Sequence, residues 1–76
     1  MKDTLVYLLT QIVDKPEAIV VDESMENEQT ILTIHADTTY MGKIIGKQGR
    51  IIRALRDLIK LMATKENKYV DVVIAE

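Results

Sequence analysis

The residues best suited to chemistry lie between Tyr40 and Leu58, where Gly46 and Gly49 bracket Lys47 and Gln48, and Arg50, Arg53 and Arg56 follow. This stretch holds all three glycines of the chain and five of its ten Lys and Arg residues. A glycine takes positive φ without hindrance from a Cβ and lets another backbone come close, so the pair permits a sharp reversal of the main chain. The helix that follows begins with N–H groups that have no intrahelical acceptor, at the positive end of its dipole. Such an end attracts phosphate. Lys47 in the turn, with Arg50 and Arg53 just after it, adds full charges to the partial ones. The chemistry this predicts is a grip on a nucleic-acid backbone or another anion. The plain alternative is a pair of glycines that ends one helix and starts the next, beside solvated cations.

Other chemistry finds little support. Gly42-Lys43-Ile44-Ile45-Gly46-Lys47 has the look of a P-loop, but its glycines are one residue too close, and Gln48 stands where a Ser or Thr would meet Mg²⁺. His35 is the only histidine and the chain has no cysteine, so no zinc site is expected. No nucleophile, base and orienting group fall into a recognisable set, and Asp22-Glu23 reads as a solvated strand end. No enzyme activity, metal or cofactor is expected.

The elements that must hold the glycine turn can be read from periodicity. From Asp3 to Asp14 the apolar residues Leu5, Val6, Leu8, Leu9, Ile12 and Val13 recur at helical spacing, with Asp3 or Thr4 as cap and Pro16 marking the end. A strand is predicted from about Glu17 to Glu23, a polar turn over Ser24 to Glu28, and a second strand over Thr30 to Ala36. So short a connection implies an antiparallel hairpin. Thr38 to Ile45 reads as a short helix, capped by Asp37 or Thr38, with Met41, Ile44 and Ile45 inward. After the glycine turn, Ile51, Ile52, Leu55, Leu58, Ile59 and Met62 form the apolar stripe of a long helix ending near Thr64. Arg53, Arg56 and Lys60 share another face of it. Lys65 to Lys68 is a loop, and Tyr69 to Ile74 a third strand. The class is α+β, with the order αββααβ.

Seventy-six residues without cysteine make one domain with a small core and no disulfide to support it. No apolar run is long enough to cross a membrane and no signal-like start is present, so a cytoplasmic protein is expected. The net charge is −2, but it is unevenly placed. Residues 1–37 carry two Lys against eight acids, a net −6, whereas residues 38–60 carry six Lys and Arg against Asp57, a net +5. Screening confines the influence of a charge to about 10 Å, so a polyanion responds to the local field rather than to the total. With no Phe or Trp, stacking on aromatic rings cannot dominate recognition, and backbone-led binding is expected.

Ile44-Ile45-Gly46-Lys47-Gln48-Gly49-Arg50-Ile51-Ile52 resembles the signature of KH domains, an Ile-Gly-x-x-Gly followed by an apolar residue. Met41-Gly42-Lys43 before it strengthens the likeness. With the length and the order of elements, the chain resembles the small stand-alone bacterial KH proteins of the KhpA type over essentially its whole extent, residues 1–76. The resemblance implies a type II KH domain, with three helices packed on one face of a three-stranded mixed sheet. It also implies an RNA chaperone or post-transcriptional regulator that holds about four nucleotides of single-stranded RNA. The site it implies comprises Lys43, Ile45, Gly46, Lys47, Gln48, Gly49, Arg50, Arg53 and Arg56. The groove that the resemblance implies lies between the glycine turn with its flanking helices and a far wall made by the sheet edge and the loop at about Lys65 to Lys68. Ile44, Ile45 and Ile52 serve as apolar floor or as core. Relatives often begin the helix before the signature with a Pro-Glu-Asp-like sequence, where this chain has Thr38-Thr39-Tyr40. Tyr40 is either a base-stacking ring or a partly buried anchor, and Tyr7 and Tyr69 are expected to pack. As partners the resemblance implies single-stranded RNA, and a homodimer or a heterodimer with a second KH-domain protein. The competing reading is a protein-interaction module.

Overall fold

The hairpin sets the register of the sheet, and its turn is shorter than the polar run of the sequence implies. In a computed structural model that describes residues 1–75, β1 (Ile19–Glu26) and β2 (Gln29–Ala36) pair antiparallel, with Glu26 opposite Gln29. Only Asn27 and Glu28 lie between them, at φ 51° and 66°. Two successive residues at positive φ make the turn whose twist suits paired strands. Ser24, Met25 and Glu26 are therefore strand rather than turn, and β1 runs to Glu26 instead of Glu23. It also starts later than expected, because Pro16–Ala18 forms a single tight helical turn closed by the Ala18 N–H on the Lys15 carbonyl. The third strand, β3 (Val70–Ile74), lies parallel to β2, so the order across the sheet is β1-β2-β3 with β3 at an edge.

Alternation along the strands decides what each face does. Val21, Leu32, Ile34, Val70 and Val72 point to the helices and are buried, whereas Val20 and His35 lie on the open face, where His35 Nε2 sits 2.8 Å from Asp22. α1 (Lys2–Thr10) rests on β1, α2 (Thr38–Ile45) on β2 and α3 (Arg50–Lys65) on β3. Among the described residues, therefore, the order is αββααβ, with three helices on one face of a three-stranded mixed sheet, as expected. Leu5, Leu9, Ile44, Leu55 and Ile59 meet the strand residues in a core that includes no polar or charged side chain among the described residues.

Three sequence expectations give way. The first helix ends at Thr10, not Asp14, and neither Asp3 nor Thr4 caps it; Met1 holds that place and its carbonyl accepts the Leu5 N–H. The Thr10 hydroxyl donates to the Tyr7 carbonyl at 2.6 Å, a local bond of the kind that competes with a helical ladder. Ile51 and Leu58 are not in the core stripe of α3 but 37% and 42% exposed; Ala63 fills the buried line with Leu55 and Ile59 instead. Tyr7 and Tyr69 do not pack, being 64% and 74% exposed. α3 itself closes as predicted within a residue. Asn67 at φ 57° donates to the Thr64 carbonyl and Lys68 to that of Ala63, the paired bonds of a left-handed helix end.

Candidate functional site

The turn between α2 and α3 is built from three residues at positive φ: Gly46 at 76°, Gln48 at 58° and Gly49 at 72°. Gly46 combines its φ with ψ 176°, a region essentially closed to other residues. A Cβ there would also stand 2.6 Å from the Ile51 side chain. Ile51 thus pays for its exposure by walling the turn on one side. The Gly46 N–H closes α2 on the Gly42 carbonyl, the Gly49 N–H returns to the Gly46 carbonyl, and the Arg50 N–H goes to that of Lys47. The N–H groups of Lys47 and Gln48 are left without a backbone acceptor among the described residues, and both residues are exposed. Two donors at the mouth of a helix, beside cations, can do what the sequence implies: hold an oxygen of a phosphate.

The cations around the turn differ in how free they are. Lys47 is exposed and has no ion-pair partner among the described residues. Arg50 reaches the Gln48 amide oxygen at 3.3 Å. Arg53 donates to the Gln48 carbonyl at 2.8 Å, which steadies a non-glycine residue in the left-handed region. Lys43 is exposed on α2, its Nζ 5.9 Å from the centre of the Tyr40 ring. Tyr40 is half-buried against the core, so it anchors α2. Ile45 and Ile52 are half-buried beside the turn, while Ile44 is wholly buried and belongs to the core alone.

Further along α3 the basic row is already engaged. Arg56 and Lys60 both reach Asp71 Oδ1, at 3.3 Å and 3.5 Å, and the same oxygen accepts the Val72 N–H at 2.8 Å. Asp71 sits on the edge strand with its side chain 23% exposed, and the Val72 N–H points away from β2 along the free edge. The carboxylate therefore caps one edge donor and draws two cations across the edge, a device that also blunts it against strand pairing. Burial pushes the Asp71 carboxyl up, but the Val72 N–H with Lys60 and Arg56 outweighs this and holds it below the ordinary carboxylate value. Arg56 Nε is buried without a partner among the described residues. Sequence reasoning put Arg56 among the RNA-binding residues, in a row with Arg53 and Lys60 on the long helix. It missed Asp71, whose only signal was an acid in an otherwise apolar strand.

Among the described residues no His, Cys, Asp and Glu groups are arranged to hold a metal, and no helix is long and apolar enough to cross a membrane. The chain is similar to proteins named RNA-binding protein KhpA. That of Clostridium perfringens is 45% identical over 97% of this chain and 99% of its own. That of Clostridium acetobutylicum is 43% identical over the same shares, and that of Chlamydia caviae 37% identical over all of this chain and 97% of its own. No solved structure matches. The family model described as KhpA/KhpB, KH domain, matches residues 2–74, and with a type II fold carrying its glycine turn between the second and third helices, the chain belongs to that family.

Proposed function

We propose that this chain binds single-stranded RNA, as a chaperone or post-transcriptional regulator in the cytoplasm, and that it acts by binding rather than by catalysis. The main chain of Gly46 to Gly49 grips the sugar-phosphate backbone, with Lys47, Arg50 and Lys43 supplying charge and Ile45 an apolar surface. Arg53 shapes the turn as well as facing the strand, and Arg56 takes part once it leaves Asp71. One observation carries the reading: the N–H groups of Lys47 and Gln48, two exposed residues, have no backbone acceptor among the described residues, and they follow a glycine at which any side chain would be strained. The relatives' name supports RNA as the ligand. Lys47→Asp combined with Gln48→Asp is expected to abolish retention of RNA while leaving the circular dichroism spectrum unchanged. Retention by that double variant would show that the turn is not the clamp. Affinity of the wild type should fall with salt at a slope of about −0.7 for each phosphate neutralised.

A second, compatible reading is self-association or pairing with another KH-domain protein. The observation in its favour is the apolar row that α3 leaves in solvent, Ile51, Leu58 and Leu61, the last 57% exposed. These positions are separated by seven and three residues and so share a face. A pair of short grooves would gain affinity through avidity. Sedimentation of a strict monomer at high concentration would remove the homodimer.

A further inference from the structure

The two edges of the sheet are finished differently. β3 is five residues long, and Asp71 covers its outward Val72 N–H while Arg56 and Lys60 reach across it. β1 is eight residues long and stays in register with β2 from Ile19 to Glu26, so no bulge breaks it. It contains no Pro, Lys or Arg, and no strand lies beyond it among the described residues. Apart from its acids, β1 has none of the devices that ordinarily blunt an edge.

The ladder decides which groups that edge offers. The Thr30 N–H donates to the Tyr69 carbonyl and the Ala75 N–H to that of Ile34, so Thr30, Leu32 and Ile34 turn their backbone groups to β3, and Ile31, Thr33 and His35 turn theirs to β1. Ser24, Asp22 and Val20 stand opposite those three and turn inward to meet them, which leaves the N–H and carbonyl of Glu23 and Met25 pointing outward. Residues 22–26 are all exposed, so no helix covers these groups. An extended segment laid along the edge can exchange hydrogen bonds with both residues as one more strand.

Charge selects what that segment is. Asp22 and Glu26 lie on the open face of the sheet and Glu23 on the other, with Glu17 just before the strand and Glu28 in its turn. No Lys or Arg occurs between Lys15 and Lys43. Glu23, Glu26 and Glu28 have no ion-pair partner among the described residues, and Asp22 has only His35. A second copy of the strand is turned away. Antiparallel pairing about Asp22, Glu23 or Ser24 sets Asp22 against Asp22, Glu23 against Glu23, or Asp22 against Glu26, and like charges directly opposite destabilise a pair of strands. Phosphate is repelled for the same reason. Lys and Arg on an added strand instead meet carboxylates on both faces, and the exposed Val20 and Met25 give their aliphatic stems a surface to lie on.

We propose that the outer edge of β1 is a docking site for an extended segment of another protein, rich in Lys and Arg, taken up as an added strand. The surface is separate from the glycine turn and from the apolar row of α3, a helix that rests on β3 at the opposite edge.

The test uses the full chain and an end-blocked peptide of seven alternating Lys and Val residues, the same peptide with Glu in place of Lys, and two forms N-methylated on either the Lys or the Val set. The Lys peptide should bind and the Glu peptide should not. One methylated form should bind about tenfold or more weakly and the other should match its parent, because only alternate residues of a strand turn their N–H groups to a neighbour. Amide exchange at Glu23 and Met25 should slow about tenfold or more with the peptide bound, while Ser24 and Glu26, already paired to β2, stay unchanged. Glu23→Lys combined with Glu26→Lys should weaken the peptide about fivefold or more. Binding that treats both methylated forms alike is ionic attraction without strand addition, and overturns the proposal. So does a dimer in sedimentation that protects the Glu23 and Met25 amides without peptide, which would assign the edge to a second copy.

Discussion

The two ends of the basic row on α3 look alike in sequence and behave differently in the fold. At the amino-terminal end, Lys47 is unpaired among the described residues, and the arginines Arg50 and Arg53 bond only to Gln48, within the turn itself. At the other, Arg56 and Lys60 converge on one carboxylate oxygen of the edge strand. On the proposed reading, the first end is a set of donors that receives an anion. The second already holds one, supplied by the protein. A row of cations is thus not one site but a free part and an engaged part, and an incoming strand must displace Asp71 to use the second.

The largest effect should come from the free end. Gly46→Ala forces a side chain into a glycine-only conformation and against Ile51, so a loss of about 2–3 kcal/mol of stability is expected in denaturant unfolding, together with loss of RNA binding. An alanine variant as stable as the wild type would remove the strained geometry on which the contrast rests.

At the engaged end the sign reverses. Asp71→Asn keeps an oxygen for the Val72 N–H but removes the charge that detains Arg56 and Lys60. RNA affinity should rise several-fold, and the salt dependence should steepen by up to about 1.4, for two further phosphates on a single strand. A weaker complex would mean that the carboxylate positions those cations for RNA rather than withholding them.

Acid should probe the same contact. Because the folded Asp71 carboxyl titrates below its ordinary value, its contribution to stability is complete above about pH 3.9 and is lost as the pH falls through the folded value. The contribution is about 1 kcal/mol or less for partly exposed pairs. Thermal melts across that range should show a steeper acid loss for the wild type than for Asp71→Asn, and parallel curves would place the acid sensitivity elsewhere.

The smallest effect concerns Gly42. A Cβ there meets nothing within 4 Å, so Gly42→Ala should stabilise α2 by about 0.5–1 kcal/mol. If RNA affinity falls while the melting temperature rises, the open space over Gly42 belongs to the path of the strand, and the free end extends onto α2.

Much of this was legible in the letters. The glycine spacing, the helices on either side of it and the hairpin each depend on local rules of period and turn chemistry, and they stand within a few residues of where the sequence puts them. Tertiary facts were not legible. Ile51 and Leu58 carry the same 3.6-residue period as the buried line, and only the position of the sheet decides which apolar face of α3 it covers. Asp71 lies 15 positions from Arg56, and its role depends on β3 being an edge, which strand order alone determines. Tyr69 reads as the start of a strand, where a tyrosine ordinarily packs. It stands one residue before β3 and is exposed.

The central claim is that two main-chain donors at the glycine turn receive the RNA backbone. Titrating isotopically labelled protein with single-stranded RNA and following every amide by nuclear magnetic resonance reads this directly. The N–H signals of Lys47 and Gln48 should show the largest changes, in the direction of stronger hydrogen bonding, with those on the open face of the sheet unmoved. Saturation with RNA while these two signals stay in place would contradict it.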